Sequence, residues 1–392
     1  MADDTQDTTK CTPPFMHRVS QGSTQIQESR EDIRKILANG NGRYGRVIVF
    51  IGPCSVHSTE ATLNYAKLLA RAAATHRDDL LVVMRVYIEK PRTTVGWKGF
   101  VHDPDLSESV ADSSTRVADL SKGLWLSRQL MLDITQLGLP VVTEVLTPLV
   151  VPFIDDLLCC GVIGARTTES QTHRELASGL DMPVGFKNGT DGSLDVATNA
   201  MVSAAGPHSL ITVNDHGQMI QQRTNGNEST FLILRGGRSG PNYSEDHTYS
   251  ASAAVTKAGH GQPGVVVDCS HGNSNKDYRN QAQVATSIAG QIAKGAPVVG
   301  VMIESNINEG RQDIASAATP EGLKYGVSVT DGCVGWQETE VILKLLASAV
   351  QKHRRQRHDC DFDIQPLGNE LQAKSEEIEV HVEELVFVDK RI

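Results

Sequence analysis

RVIVFIGPC, residues 46–54, is a run of five β-branched or aromatic apolar residues closed by Gly-Pro and a cysteine. A run without polar alternation reads as a strand buried on both faces, as parallel sheets under helices require. Seven stretches of the same kind follow: LLVVMRVY from 80, PVVTEV from 140, VIGART from 162, PVGFKN from 183, FLILRG from 231, GVVVDCS from 264 and VVGVMIES from 298. Most gaps between them hold a helical pattern, the crossover that parallel neighbours need. Eight such units predict an α/β protein, a (β/α)8 TIM barrel.

Working outward, Thr147 and Pro148 predict the cap and first position of a helix carrying Phe153, Ile154, Leu157 and Leu158 and ending at Gly161. Val341, Ile342, Leu345, Leu346 and Ala349 make the stripe of a closing helix. The long gap after 183 contains HSLITVN and QMIQQRT joined by Asp215-His216-Gly217, read as a hairpin inserted before strand 6 and outside the barrel. The alternative makes HSLITVN a barrel strand and displaces one of the eight. Residues 1–44 form an extension, disordered over 1–22, with a helix marked by Ile26, Ile33, Ile36 and Leu37; residues 45–350 are the catalytic barrel. Residues 351–392 are a tail, basic at Lys352-His353-Arg354-Arg355-Gln356-Arg357 and then acidic, whose EIEVHVEELVFV alternates like a strand.

Composition narrows the function. The 392 residues are 39% hydrophobic and 21% charged, a chain that folds around a core. Its 37 basic and 47 acidic residues give a net charge of −10, which argues against nucleic-acid or anionic-membrane binding. The acidic start lacks a signal or transit pattern and no apolar run approaches a membrane span, so a cytoplasmic enzyme is expected. Seven irregularly spaced cysteines match neither a disulfide framework nor a zinc knuckle.

Barrel enzymes place chemistry at the carboxyl ends of strands. There stand Cys54, Arg85, Glu144, Arg166, Lys187, Arg235, Asp268 with His271 nearby, and Glu304. Arg85, Arg166, Lys187 and Arg235, joined by Lys90, Arg92 and Lys98 in the loop after the second strand, form a cationic mouth in an acidic protein. Such a cluster demands ligands with several anionic groups. Cys54, His271, Glu304 and Asp331 offer a thiolate, an imidazole and two carboxylates, a donor set for Mn²⁺, Fe²⁺, Co²⁺ or Zn²⁺. The bland alternative is a buried structural Cys54 beside unrelated charged loops.

These residues lie in long motifs: IGPCS at 51–55, MRVYIEKPRTTVGWKG at 84–99, GARTTESQTHRELASGL at 164–180, PVGFKNGTDG at 183–192, ILRGG at 233–237, DCSHGNSNK at 268–276, GVMIESNINEG at 300–310 and SVTDGCVGW at 328–336. Over about residues 45 to 350 the chain resembles the type I 3-deoxy-D-arabino-heptulosonate 7-phosphate (DAHP) synthases. The resemblance implies a barrel enzyme, assembled as a homo-oligomer (dimer or tetramer), that condenses phosphoenolpyruvate with erythrose 4-phosphate, using a divalent metal and releasing phosphate, as the first step of the shikimate pathway. It implies that Arg85, Lys90, Ala165, Arg166, Lys187 and Arg235 hold phosphoenolpyruvate, with Glu144 near the reacting carbon and its water. Lys90, Pro91, Arg92 and Thr93, with Lys98 nearby, match the segment that holds erythrose 4-phosphate. Cys54, His271, Glu304 and Asp331 match the metal ligands, and Lys90, Glu144 and His271 are the catalytic candidates.

The resemblance has departures. Ser58 stands where the family usually has Asp, Asp181 where its effector pocket usually has Ser, and the family's N-terminal D-x-R-I/V-like motif is not found. Weak or absent feedback inhibition by aromatic amino acids is therefore expected. Three other readings stay open: a sister synthase using arabinose 5-phosphate, against which KPRTT at 90–94 argues, a catalytically silent paralogue, and a synthase serving a secondary-metabolite pathway.

Overall fold

A computed structural model describes residues 24–38, 45–106, 119–214, 218–261, 263–317 and 319–357. In chain order these form α1 (Thr24–Ala38), β1 (Val47–Gly52), α2 (Thr59–Thr75), β2 (Leu80–Arg85), α3 (Leu120–Gln136), β3 (Val141–Glu144), β4 (Cys160–Ile163), α4 (Gln171–Gly179) and β5 (Val184–Lys187). There follow α5 (Asp195–Ala205), β6 (Ser209–Val213), β7 (Met219–Arg223), β8 (Thr230–Leu234), α6 (Glu245–Lys257), β9 (Val265–Asp268), α7 (Gln281–Lys294), β10 (Val298–Glu304) and α8 (336–357). Eight parallel strands close into a barrel in the order β1-β2-β3-β4-β5-β8-β9-β10. All eight expected strands are there.

Strand alternation builds two cores. Ile48 and Phe50 of β1 point inward with Leu81, Val83, Val142, Val162, Phe231, Ile233, Val266 and Met302, while Val47, Val49 and Ile51 face the helices. Phe50 and Phe231 stack across the interior with ring centroids 6.1 Å apart. The inner core also contains Ile33, Ile36 and Leu37, so α1 plugs the amino-terminal end of the barrel. Arg30 fixes the plug: Nε donates to Leu158 O at 3.0 Å and Nη2 to Asp155 O at 2.7 Å, just ahead of β4.

β6 and β7 pair antiparallel as a separate two-stranded sheet, the hairpin expected outside the barrel, although its turn at 215–217 lies outside the described residues. The helix expected over 147–161 is a correction. Two short 3₁₀ turns, Val151–Phe153 and Asp155–Leu157, fill the crossover, and Gly161 lies inside β4. Pro152 removes a donor where an α-helix needs one, and Thr147 bonds the Glu89 carboxylate instead of capping a helix. In α8, Ile342, Leu343, Leu346 and Ala349 are buried, whereas Val341 is 66% exposed and off the stripe. Ser58 caps α2, its Oγ accepting from Ala61 N, so serine does here what aspartate would. The segments 1–22 and EIEVHVEELVFV lie outside the described residues.

Candidate active site

The carboxyl ends of the strands open on one cavity of about 220 Å³. Glu144, Lys187 and Glu304 are the last residues of β3, β5 and β10, and all three line it. Arg166 and Arg235 follow β4 and β8, His271 follows β9, Lys90, Pro91 and Arg92 come from the loop after β2, and Ala165 and Asp331 complete the set. Cys54 and Arg85 are buried behind this lining, Lys98 lines an adjoining lobe, and Thr93 lines neither space.

The donor atoms of Cys54, Glu304 and Asp331 lie within 4.8 Å of one another. His271 stands beside them, with Nε2 3.9 Å from Glu304 Oε1. Its other nitrogen, Nδ1, lies 3.0 Å from Asp268 Oδ2 and 2.7 Å from Ser270 Oγ. Burial alone would raise the Asp268 pKa, but Lys187 and His271 hold it well below the usual carboxylate range. An ionised Asp268 can only accept, so Nδ1 donates to it, and in the neutral ring Nε2 offers its lone pair beside Glu304. Burial and the Glu304 carboxylate push the Cys54 thiol up to about 11, against the pull of Lys90, whose Nζ is 3.2 Å from Sγ. A thiol so placed ionises at neutral pH only if a further cation joins the group. The four residues therefore fit a divalent transition metal, with soft, borderline and hard donors at one point.

Cations crowd the same cavity, several of them against the donor group itself. Burial lowers the Arg235 pKa and the neighbouring Arg166 lowers it further, with Asp268 opposing. Two guanidiniums this close are relieved by an anion between them. Lys187 Nζ is 2.7 Å from Asp268 Oδ2, an ion pair with side chains only 5% and 0% exposed. Arg85 Nη2 donates to Glu304 Oε1 at 3.1 Å over the Tyr87 ring, while its buried Nε and Nη1 make no hydrogen bond. Burial works against the Lys90 ammonium, but Cys54, Glu304 and Glu144 outweigh it and raise its pKa.

Sequence reading had no means of finding the scaffold beneath these side chains. Asn188, Asn242 and Asn273 are buried and tie together the loops after β5, β8 and β9: Arg235 N donates to Asn188 Oδ1, Gly236 N to Asn242 Oδ1, and Asn242 N to Asn273 Oδ1. Gly236 has φ +70, and a Cβ there would strike the backbone of Gly272 and Asn273, so the two loops meet main chain to main chain. Gln281 brackets the backbone of Glu304 at both N and O. The only signal was Asn, Gly and Gln beside charged strand ends.

Gly164 makes room for Glu144, since a Cβ at 164 would overlap Glu144 Oε1. Gly164→Ala should displace the carboxylate and lower kcat by up to about 10²-fold, because an ångström of misplacement carries that cost. The thermal midpoint should hardly move, as the clash is with the end of a flexible side chain.

Asp181 is far from the cavity. It sits between α4 and β5, hence at the amino-terminal end of the barrel, with its side chain 83% exposed. Its carboxylate lies 3.3 Å from Arg34 Nη2 and 3.7 Å from Arg30 Nη1, both on α1.

Comparison with known proteins places this geometry. The family model described as the DAHP synthetase I family matches residues 24–344. The chain is 46% identical over 340 residues to the phenylalanine-inhibited phospho-2-dehydro-3-deoxyheptonate aldolase of Saccharomyces cerevisiae, covering 86% of this chain and 89% of that protein. It is 49% identical over 325 residues to the Tyr-sensitive phospho-2-dehydro-3-deoxyheptonate aldolase of Escherichia coli, covering 83% and 87%. The solved phospho-2-dehydro-3-deoxyheptonate aldolase of Francisella tularensis superposes with a TM-score of 0.79 at 44% identity, covering 86% of this chain and 96% of that one. With a barrel, a cationic mouth and a metal-competent donor group all supplied by the matched residues, the chain belongs to the DAHP synthetase I family.

Proposed function

We propose that the chain carries out the condensation of phosphoenolpyruvate with erythrose 4-phosphate and water to give DAHP and phosphate, the first step of the shikimate pathway. The observation that carries this reading is a single cavity that gathers Arg166, Lys187 and Arg235 beside the Cys54, Glu304, Asp331 and His271 group. The cations suit a phosphorylated carboxylate and the donor group suits a polarised aldehyde.

Arg166, Lys187, Arg235 and Ala165 hold the phosphate and carboxylate of phosphoenolpyruvate, and the two unpartnered nitrogens of Arg85 add buried positive charge behind them. Cys54, His271, Glu304 and Asp331 would hold a divalent metal, which would supply Lewis acidity toward an aldehyde. Arg92, with Pro91 shaping the loop, receives the aldose phosphate. C3 of the enol attacks the aldehyde carbon, forming the new carbon–carbon bond and leaving positive character at C2. Lys90, held protonated between the two substrates, gives its proton to the developing alkoxide. Glu144 orients the water that adds at C2 and takes a proton from it. The tetrahedral adduct then loses phosphate as its C2–O bond breaks. Cations fixed before substrate arrives are what make the approach of two multiply charged anions feasible.

Assaying erythrose 4-phosphate and arabinose 5-phosphate side by side tests the assignment: the four-carbon aldose should have the higher kcat/KM, and equal or better use of arabinose 5-phosphate overturns it. No helix among the described residues is long and apolar enough to cross a membrane. Ile211 and Met219 of the hairpin, 69% and 75% exposed, suit a subunit interface, and a dimer or tetramer is expected by light scattering.

Regulation is a further part of the proposal. A carboxylate at 181, beside an effector's own carboxylate, should weaken feedback inhibition. Arg30 and Arg34 offset part of its charge, so the effect is about tenfold or less. Initial rates against phenylalanine, tyrosine and tryptophan should show weak inhibition that Asp181→Ser strengthens. Strong inhibition at micromolar effector contradicts this.

A further inference from the structure

Next to the main cavity lies a second lobe of about 510 Å³. The two spaces share Arg92, Thr330 and Asp331, so the lobe begins where the donor group ends. Away from that junction its charged lining is Lys98 and Arg311 together with Asp103 and Asp313, with His102 beside them. Arg92 and Lys98 belong to one closed loop, in which Lys90 N donates to Lys98 O at 2.9 Å and Arg92 Nε to Trp97 O at 2.8 Å. Arg311 comes from a different element. Gly310 and Cys333 exchange backbone hydrogen bonds of 2.9 and 3.1 Å, and Gln312 N donates to Ser328 O at 2.8 Å. Residues 310–312 are thus laddered onto the segment that carries Asp331, which sets the Arg311 main chain rigidly against the donor group. Among the described residues the Arg311 guanidinium makes no hydrogen bond or ion pair, and the Lys98 ammonium makes none either.

We propose that Arg311 is a specificity-determining residue that grips the phosphate of the aldose from the side opposite Arg92 and Lys98. This rests on the reaction proposed above and adds a residue to its aldose side. An aldose with its carbonyl beside Asp331 extends away from the phosphoenolpyruvate cations, and its phosphate enters the lobe. Two separate lobes keep the two phosphates apart, which their mutual repulsion requires. A dianion between Arg92, Lys98 and Arg311 is held from two independent chain segments, and a guanidinium supplies the forked donors that phosphate accepts. A carbonyl-bearing ligand without a phosphate has nothing to offer the lobe.

Arg311→Ala and Arg311→Lys, measured in the metal-loaded full chain, test the assignment. Arg311→Ala should raise KM for erythrose 4-phosphate about 10- to 100-fold, the usual loss for a charge-assisted contact, and leave KM for phosphoenolpyruvate within about twofold. Arg311→Lys should recover part of the loss. A general electrostatic or structural role would raise both KM values together, and that outcome, or an unchanged KM for erythrose 4-phosphate, overturns the assignment while leaving the reaction standing. Absence of wild-type turnover with erythrose 4-phosphate overturns the reaction itself, and the role of Arg311 with it.

Discussion

Stripping the enzyme with a strong chelator lowers turnover by about three orders of magnitude or more, and Mn²⁺ or Co²⁺ restores it. Losing several kcal/mol of charge stabilisation at the aldehyde oxygen sets that scale. The expectation comes from the site itself. Cys54, Glu304 and Asp331 converge within 4.8 Å, and burial together with Glu304 keeps the thiol protonated up to about 11 until a cation arrives. His271→Ala should behave like the stripped enzyme, since its Nε2 brings a nitrogen to the group beside Glu304. Binding is readable apart from turnover: Co²⁺ should give a thiolate charge-transfer band that Cys54→Ser abolishes. Full activity after exhaustive chelation, or the same band in Cys54→Ser, contradicts the assignment.

The second large effect is at Lys187. Lys187→Met should reduce turnover by more than about 10²-fold and destabilise the fold by about 3 kcal/mol, the usual consequence of leaving one member of a buried ion pair alone. Asp268 would keep only His271, Ser270 and more distant cations as company, with no exposure to water. The double variant Lys187→Met, Asp268→Asn should recover most of the stability, because the buried negative charge is gone, and none of the activity. Denaturant midpoints at constant m-value separate the two contributions. A single variant with a wild-type midpoint would show that the pair contributes nothing to folding.

The barrel was legible because parallel strands buried on two faces leave uninterrupted apolar runs, as in VIVFI of β1 and VVGVMI of β10. The crossover before β4 was not. Its apolar residues fall at helical spacing, and only Pro152 signals that an α-helix cannot form there. The cavity could be anticipated because strand ends converge by topology: Glu144, Lys187 and Glu304 reach it simply by being last in their strands. What topology does not encode is depth. Arg85 and Lys187 occupy equivalent strand ends, yet Arg85 is sealed against Glu304 and Tyr87 while Lys187 lines the cavity. Arg311 carried no signal either, because its position depends on a ladder between residues 310–312 and 328–333 that no periodicity announces. Asp181 drew notice as a charge, but only the structure pairs it with Arg30 and Arg34 of α1.

The most direct test of the central claim follows one oxygen atom. The metal-loaded chain is supplied with erythrose 4-phosphate and phosphoenolpyruvate carrying ¹⁸O at the bridging position, and DAHP and phosphate are quantified together. Water attack at C2 followed by cleavage of the C2–O bond predicts one DAHP per phosphate, with the label in the phosphate. Label-free phosphate, or phosphate released without DAHP, contradicts the account.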